Sequence, residues 1–154
     1  MKQLLSARLF ALAVAIGAAA LLVAAVQAGT SSPGAVIALR KTALGTILVD
    51  ARGRTLYLFE KDRRGVSTCN TACVTYWPAL TSHGTPRAGL GVHQSLLGTT
   101  RRKDGKLEVT YGGHPLYYFV TDRKPGQTTG QGVNQFGGPW WVISPAGKEI
   151  HRRG

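Results

Sequence analysis

The chain is poor in acidic residues: 7 Asp and Glu stand against 19 Lys and Arg, a formal charge of +12 with neutral histidines. It has 2 cysteines and 1 methionine, and that methionine is Met1. Missing altogether are G-x-S-x-G, phosphate-loop and zinc-protease signatures, which removes the hydrolase and nucleotide chemistries those motifs carry. Gly89-Leu90-Gly91 is too short to replace them. His83, His93, His114 and His151 lack metal-ligand spacing, and a blue-copper site has neither an axial Met nor a spare Cys. Cys69 and Cys73 stand as C-x3-C rather than the C-x-x-C of redox proteins, and partners for zinc or haem are missing. No cofactor and no metal are expected.

The N-terminus reads as an export signal over residues 1–28. Lys2 and Arg8 precede an uncharged run from Leu9 to Val26, and Ala25-Val26-Gln27-Ala28 puts small residues where a signal peptidase reads. An uncleaved anchor is the alternative, since 18 uncharged residues approach the roughly 20 that span a bilayer. No Cys lies near that site, so a lipid-anchored N-terminus is not expected. Residues 29–154 are 126 in number, enough for one domain. With Lys2 and Arg8 gone the charge is about +10, a field that attracts polyanions. Outside the cytoplasm, periplasmic or extracellular, these are anionic envelope polymers or a membrane surface. An oxidising compartment also favours a Cys69–Cys73 disulfide. One helical turn would hold their Cα atoms within disulfide reach.

What the chain does have is one stretch written twice. Leu56-Tyr57-Leu58-Phe59-Glu60-Lys61-Asp62 returns 60 residues later as Leu116-Tyr117-Tyr118-Phe119-Val120-Thr121-Asp122. Alternation puts Tyr57 and Phe59 on one face of a strand and Leu56 and Leu58 on the other, with Tyr117 and Phe119 in the same phase. Both faces are apolar, which predicts a strand buried on both sides. Upstream of each copy, turn residues divide β formers into hairpins, and Asp104-Gly105 and Gly112-Gly113 are strong turn pairs. Residues 67–80 alone show a helical period, with Cys69, Ala72, Cys73 and Tyr76 on one side, Ser67 or Thr68 as cap and Pro78 as stop. Trp141-Val142-Ile143 and Gly147 repeat the spacing of Ile47-Leu48-Val49 and Gly53, a third half-copy.

The expectation is an all-β domain, a small antiparallel sandwich or barrel made from two pseudo-repeats of β-hairpins with one short helix carrying the Cys pair. Residues 29–44 form an arm and first strand. Residues 45–80 and 99–139 are the repeats, 81–98 the connector and 140–154 the terminal half-repeat hairpin. The connector and the Gly-rich loop 126–138 are where a function independent of the motif would sit.

The doubled Tyr-x-aromatic-x-x-Asp, together with Gly53-Arg54-Thr55-Leu56-Tyr57, Trp77-Pro78-Ala79-Leu80, Tyr111-Gly112-Gly113-His114-Pro115 and a Gly-Gly-Pro-Trp stretch, resembles the bacterial family called the secreted repeat of unknown function. The resemblance covers about residues 45–147. It implies export and tandem repeats in small envelope proteins, many of them lipoproteins, and no activity.

The motif residues Tyr57, Phe59, Asp62, Tyr117, Phe119 and Asp122 read first as structure, each Asp closing its own turn by bonding backbone two residues on. An acid–base pair, or a cation site, would need the two copies brought together. Trp140-Trp141 and Tyr76-Trp77 read as core rather than as a base-stacking platform, and no specific nucleic acid is expected. Arg101, Arg102, Lys103, Arg123 and Lys124 are the candidate polyanion contacts. The reading is a non-enzymatic exported module for an anionic envelope partner. Its rivals are an enzyme or redox component using the paired Tyr and Asp, and a small-ligand site between the repeats. The sequence does not specify an oligomeric state.

Overall fold

The computed structural model describes residues 32–63 and 65–152. The export signal at 1–28 lies outside the described residues. Each repeat opens with a hairpin. β1 (Val36–Thr42) and β2 (Gly45–Asp50) turn tightly, with Thr42 opposite Gly45. β5 (Leu97–Arg101) and β6 (Leu107–Tyr111) turn around Asp104-Gly105, where Gly105 takes φ +82°. The first strand therefore belongs to the repeat rather than to an arm before it.

From each hairpin the chain reverses again into the motif. β3 (Tyr57–Phe59) follows the Arg52-Gly53 turn, and the pair Gly112-Gly113, both at positive φ, feeds β7 (His114–Pro115). β4 is Arg87–Ala88, β8 is Asn134–Gln135 and β9 is Gly138–Val142. Among the described residues the strands form three small sheets, β2-β1-β4, β3-β9-β8 and β5-β6-β7, and no closed barrel. Pairing is antiparallel except that β4 runs parallel to β1.

The repeats are joined by exchange. Tyr57 and Tyr117 pair antiparallel, each N–H donating to the other's carbonyl at 2.9 Å. On the outer side Tyr57 faces Val142 of β9, and Tyr117 faces Ala79. Each repeat's closing segment thus lies on the other repeat's motif strand, and a pseudo-two-fold axis passes between the tyrosines. Residues 140–143 are the counterpart of 77–80. They close the second repeat instead of opening a half-copy of the first hairpin, and beyond them Ile143 faces Glu149.

Two apolar clusters divide as the alternation predicts. Tyr57, Phe59, Tyr117, Trp77 and Trp140 fill one, while Leu56, Leu58, Leu116, Trp141 and Ile143 fill the other. In the first, four rings stack in the order Phe59, Trp140, Trp77, Phe119, at centroid spacings of 4.1, 3.9 and 4.1 Å. Every contact in that stack joins one repeat to the other. The tyrosines close it edge-on, Tyr57 against Trp77 and Tyr117 against Trp140.

Two local expectations are corrected. The helical period over 67–80 yields one turn, α1 (Cys73–Tyr76), because Thr71 takes φ +50° and Thr68 is drawn to Asp62 instead of capping. Cys69 therefore precedes the helix, yet the Cys69–Cys73 disulfide forms with Cα atoms 5.2 Å apart. Both sulfurs are buried, and so short a loop contributes about 2 kcal/mol in the chain-entropy account. The connector has regular structure of its own. It carries β4 and a 3-10 turn at Gln94–Leu96, and Gln94 grips Ala88 N–H and the Pro86 carbonyl.

Candidate functional site

The motif's polar groups meet across the axis. Tyr57 donates its hydroxyl to Asp122 Oδ2 at 2.7 Å, and Tyr117 donates to Asp62 Oδ2 at 2.6 Å. The other carboxylate oxygen holds the loop that follows it. Asp62 Oδ1 accepts from Thr68 N–H and Oγ1, and Asp122 Oδ1 accepts from Thr129 N–H and Oγ1. The expectation that each Asp bonds backbone two residues on is corrected: the side chain reaches six or seven residues along and across to the other repeat. We call each Tyr–Asp pair with its loop a clasp.

Burial sets the chemistry of these groups. Both phenols are shielded from solvent, and desolvation, with a carboxylate beside each, pushes them far above the usual tyrosine range. Burial also lifts the Asp62 carboxyl, against the hydrogen bonds from Tyr117 and Thr68 that favour its charge. A phenol so hard to ionise and bonded to a carboxylate serves as a donor, a positional role.

The two clasps are finished differently. Tyr57 Oη also accepts the N–H of Gly130, where an added Cβ would lie 2.7 Å from the Trp77 ring. Tyr117 instead meets Ser67 Oγ at 2.7 Å, and Ser67 accepts from Arg102 Nη1 at 2.6 Å. Arg102 continues to Glu108 Oε2 at 2.6 Å and to the Cys69 carbonyl at 2.7 Å, pinning the disulfide loop to the second repeat. Glu108 stands where the first repeat has Leu48. It is fully buried, and its Oε1 has no hydrogen-bond partner among the described residues.

Desolvation outweighs the Arg102 ion pair and pushes the Glu108 carboxyl from 4.5 up to about 7. A raised folded-state value means that the folded protein holds a proton the unfolded chain has released. Glu108 therefore contributes its full stability below about 4.5 and loses it as pH rises through about 7. Urea titrations of wild type and Glu108→Gln across that window are expected to show their difference moving steadily in the variant's favour.

Of the sequence-predicted cationic contacts, Arg101, Lys103, Arg123 and Lys124 are exposed, with no carboxylate within ion-pair distance among the described residues. Arg102 leaves the set. Its side chain is 4% exposed and committed to Glu108. Trp77 and Trp140 are fully buried in the stack and present no platform to solvent. Among the described residues no three His, Cys, Asp or Glu side chains gather as metal ligands. No helix there is long and apolar enough to cross a membrane.

Sequence reasoning missed Arg54, Tyr118 and Glu108. Arg54 lies 4.0 Å over the Tyr118 ring, and both bond Asp50 Oδ2. The signal for Glu108 was an acid at a strand position whose partner in the other repeat is Leu48.

No curated protein and no solved structure matches the chain. A family model does, twice, at residues 38–81 and 98–144, taking in both hairpins, both motif strands and both exchanged closing segments. The chain belongs to the family described as the secreted repeat of unknown function.

Proposed function

We propose that the protein is a non-catalytic binding module of the bacterial envelope whose partner is an anionic polysaccharide. One observation carries the reading: the motif's polar groups are spent on each other inside the domain, while Arg101, Lys103, Arg123 and Lys124 stand outside with no carboxylate within ion-pair distance among the described residues. Charges left unpaired on a surface raise the local concentration of a polyanion and act through a salt-sensitive field. The family's description as secreted supports an encounter outside the cytoplasm. The paired-Tyr/Asp enzyme reading has no comparable support, because the four groups form two separate internal pairs. Retention of the purified domain on an acidic polysaccharide is expected at low ionic strength and is lost by about 0.5 M salt, where screening is within a few ångströms. Absence of retention at 10 mM salt overturns the reading. Retention on anionic vesicles alone would overturn it in favour of a membrane partner.

A further inference from the structure

The pseudo-symmetry gives each residue of one repeat a counterpart in the other, and on one face the counterparts do not match. In the first repeat's motif strand Leu58 pairs with Trp141, whose indole N–H donates to Glu60 Oε1 at 2.5 Å. That ring is nearly buried and seals the face. In the second, Tyr118 receives the equivalent contact from Pro78, its N–H donating to the Pro78 carbonyl at 2.8 Å. Val120 replaces Glu60 and remains 38% exposed. A small pyrrolidine ring stands where the other half has an indole. Beside it opens a hollow of about 500 Å³, walled by Pro78, Tyr118, Phe119 and Val120 and rimmed by Arg54 and Arg123. That size and mixed lining suit a small-molecule site.

The charge at the rim is built. Arg54 is fixed over Tyr118 by its bonds to Asp50 through Nε and Nη2, leaving Nη1 to point elsewhere. Arg123 has its backbone held by Gln127 Oε1 and no carboxylate partner among the described residues. Asp122 also reaches the hollow, but its oxygens are occupied by Tyr57 and Thr129.

We infer that this hollow binds one ring carrying a carboxylate, the ring against Pro78 and Val120 in the place that Trp141 fills in the other repeat and the carboxylate on Arg123 beside Arg54. A flat apolar face and an anionic edge are shared by the uronate unit of an acidic polysaccharide and by a free aromatic acid. The inference rests on the proposed polyanion-binding reading and gives it a site.

The test titrates the full exported chain with glucuronate and with benzoate, each against its neutral counterpart, glucose and benzyl alcohol, by calorimetry or chemical-shift change. Binding of glucuronate places the ring in a sugar polymer, and binding of benzoate places it in an aromatic acid. Either is expected to be about tenfold or more tighter than its neutral counterpart and to weaken as much in Arg123→Ala. Val120→Trp, at an exposed position, puts an indole beside the hollow and is expected to abolish binding with the fold intact by circular dichroism. Equal binding of neutral rings, no binding of either acid, or wild-type affinity in both variants overturns the inference. Polysaccharide retention is measured in parallel. A Val120→Trp protein retained like wild type leaves the polyanion reading standing and removes the hollow from it. Failure of wild type to be retained removes the broader reading whatever the small acids do.

Discussion

Trp140→Ala is expected to lower the unfolding free energy by about 3–5 kcal/mol. The indole is fully buried between Phe59 and Trp77 and receives the edge of Tyr117, so its removal opens the stack at its middle. Aromatic pairs add about 0.5–1.5 kcal/mol each beyond the area they bury, and three of them go at once. Two of the three contacts join the repeats, since Phe59 and Trp77 belong to the first and Trp140 to the second, and the third, to Tyr117, lies within the second. For a domain this small, a cost of that size is a large part of all the stability available. The midpoint of urea unfolding reads it directly. A change under about 1 kcal/mol would mean that the stack does not join the halves.

Arg102→Met is expected to cost about 3–5 kcal/mol at pH 8, because it strands Glu108 as a buried charge and releases Ser67 and the Cys69 carbonyl. The cost should shrink towards pH 5. Without its partner, Glu108 loses the ion pair that had held its pKa down, so protonation relieves the penalty at low pH. Adding Glu108→Leu, the residue type that the first repeat has at Leu48, should recover most of the loss at either pH, as apolar replacement of a buried ion pair commonly does. The unfolding free energies of the single and double variants at the two pH values check this. A penalty for Arg102→Met that is independent of pH and untouched by Glu108→Leu would place the cost in the Cys69 loop instead.

Much of this architecture can be read locally. Tyr57 and Phe59 share a face opposite Leu56 and Leu58 because strand geometry alternates, and Asp104-Gly105 turns because Gly takes positive φ cheaply. The disulfide follows from compartment and spacing. The helix does not, since its period is present but Thr71 breaks the run and Asp62 takes the N–H and hydroxyl of Thr68, which would have been the cap.

The exchange between repeats was invisible for a deeper reason. A tandem repeat states each unit's local preferences twice, yet those are the same whether a strand pairs inside its own unit or with its twin. The choice is made by tertiary contacts, Trp140 on Phe59 and Trp77 on Phe119. Likewise Arg102 looked like part of a solvated basic run, and only Glu108 across the turn draws it inside. Residues that depart from the repeat, Glu108 against Leu48 and Pro78 against Trp141, proved more informative about asymmetry than those that keep it.

The doubled motif is a pair of clasps between repeats. A double-mutant cycle tests it most directly, with Tyr57→Phe and Asp122→Ala made singly and together and unfolded in urea. The crossed hydrogen bond predicts a coupling of about 1–3 kcal/mol between them, and near-additivity, within about 0.5 kcal/mol, for Tyr57→Phe with Asp62→Ala. Coupling of Tyr57 to Asp62 in its own repeat, with none to Asp122, would contradict the account.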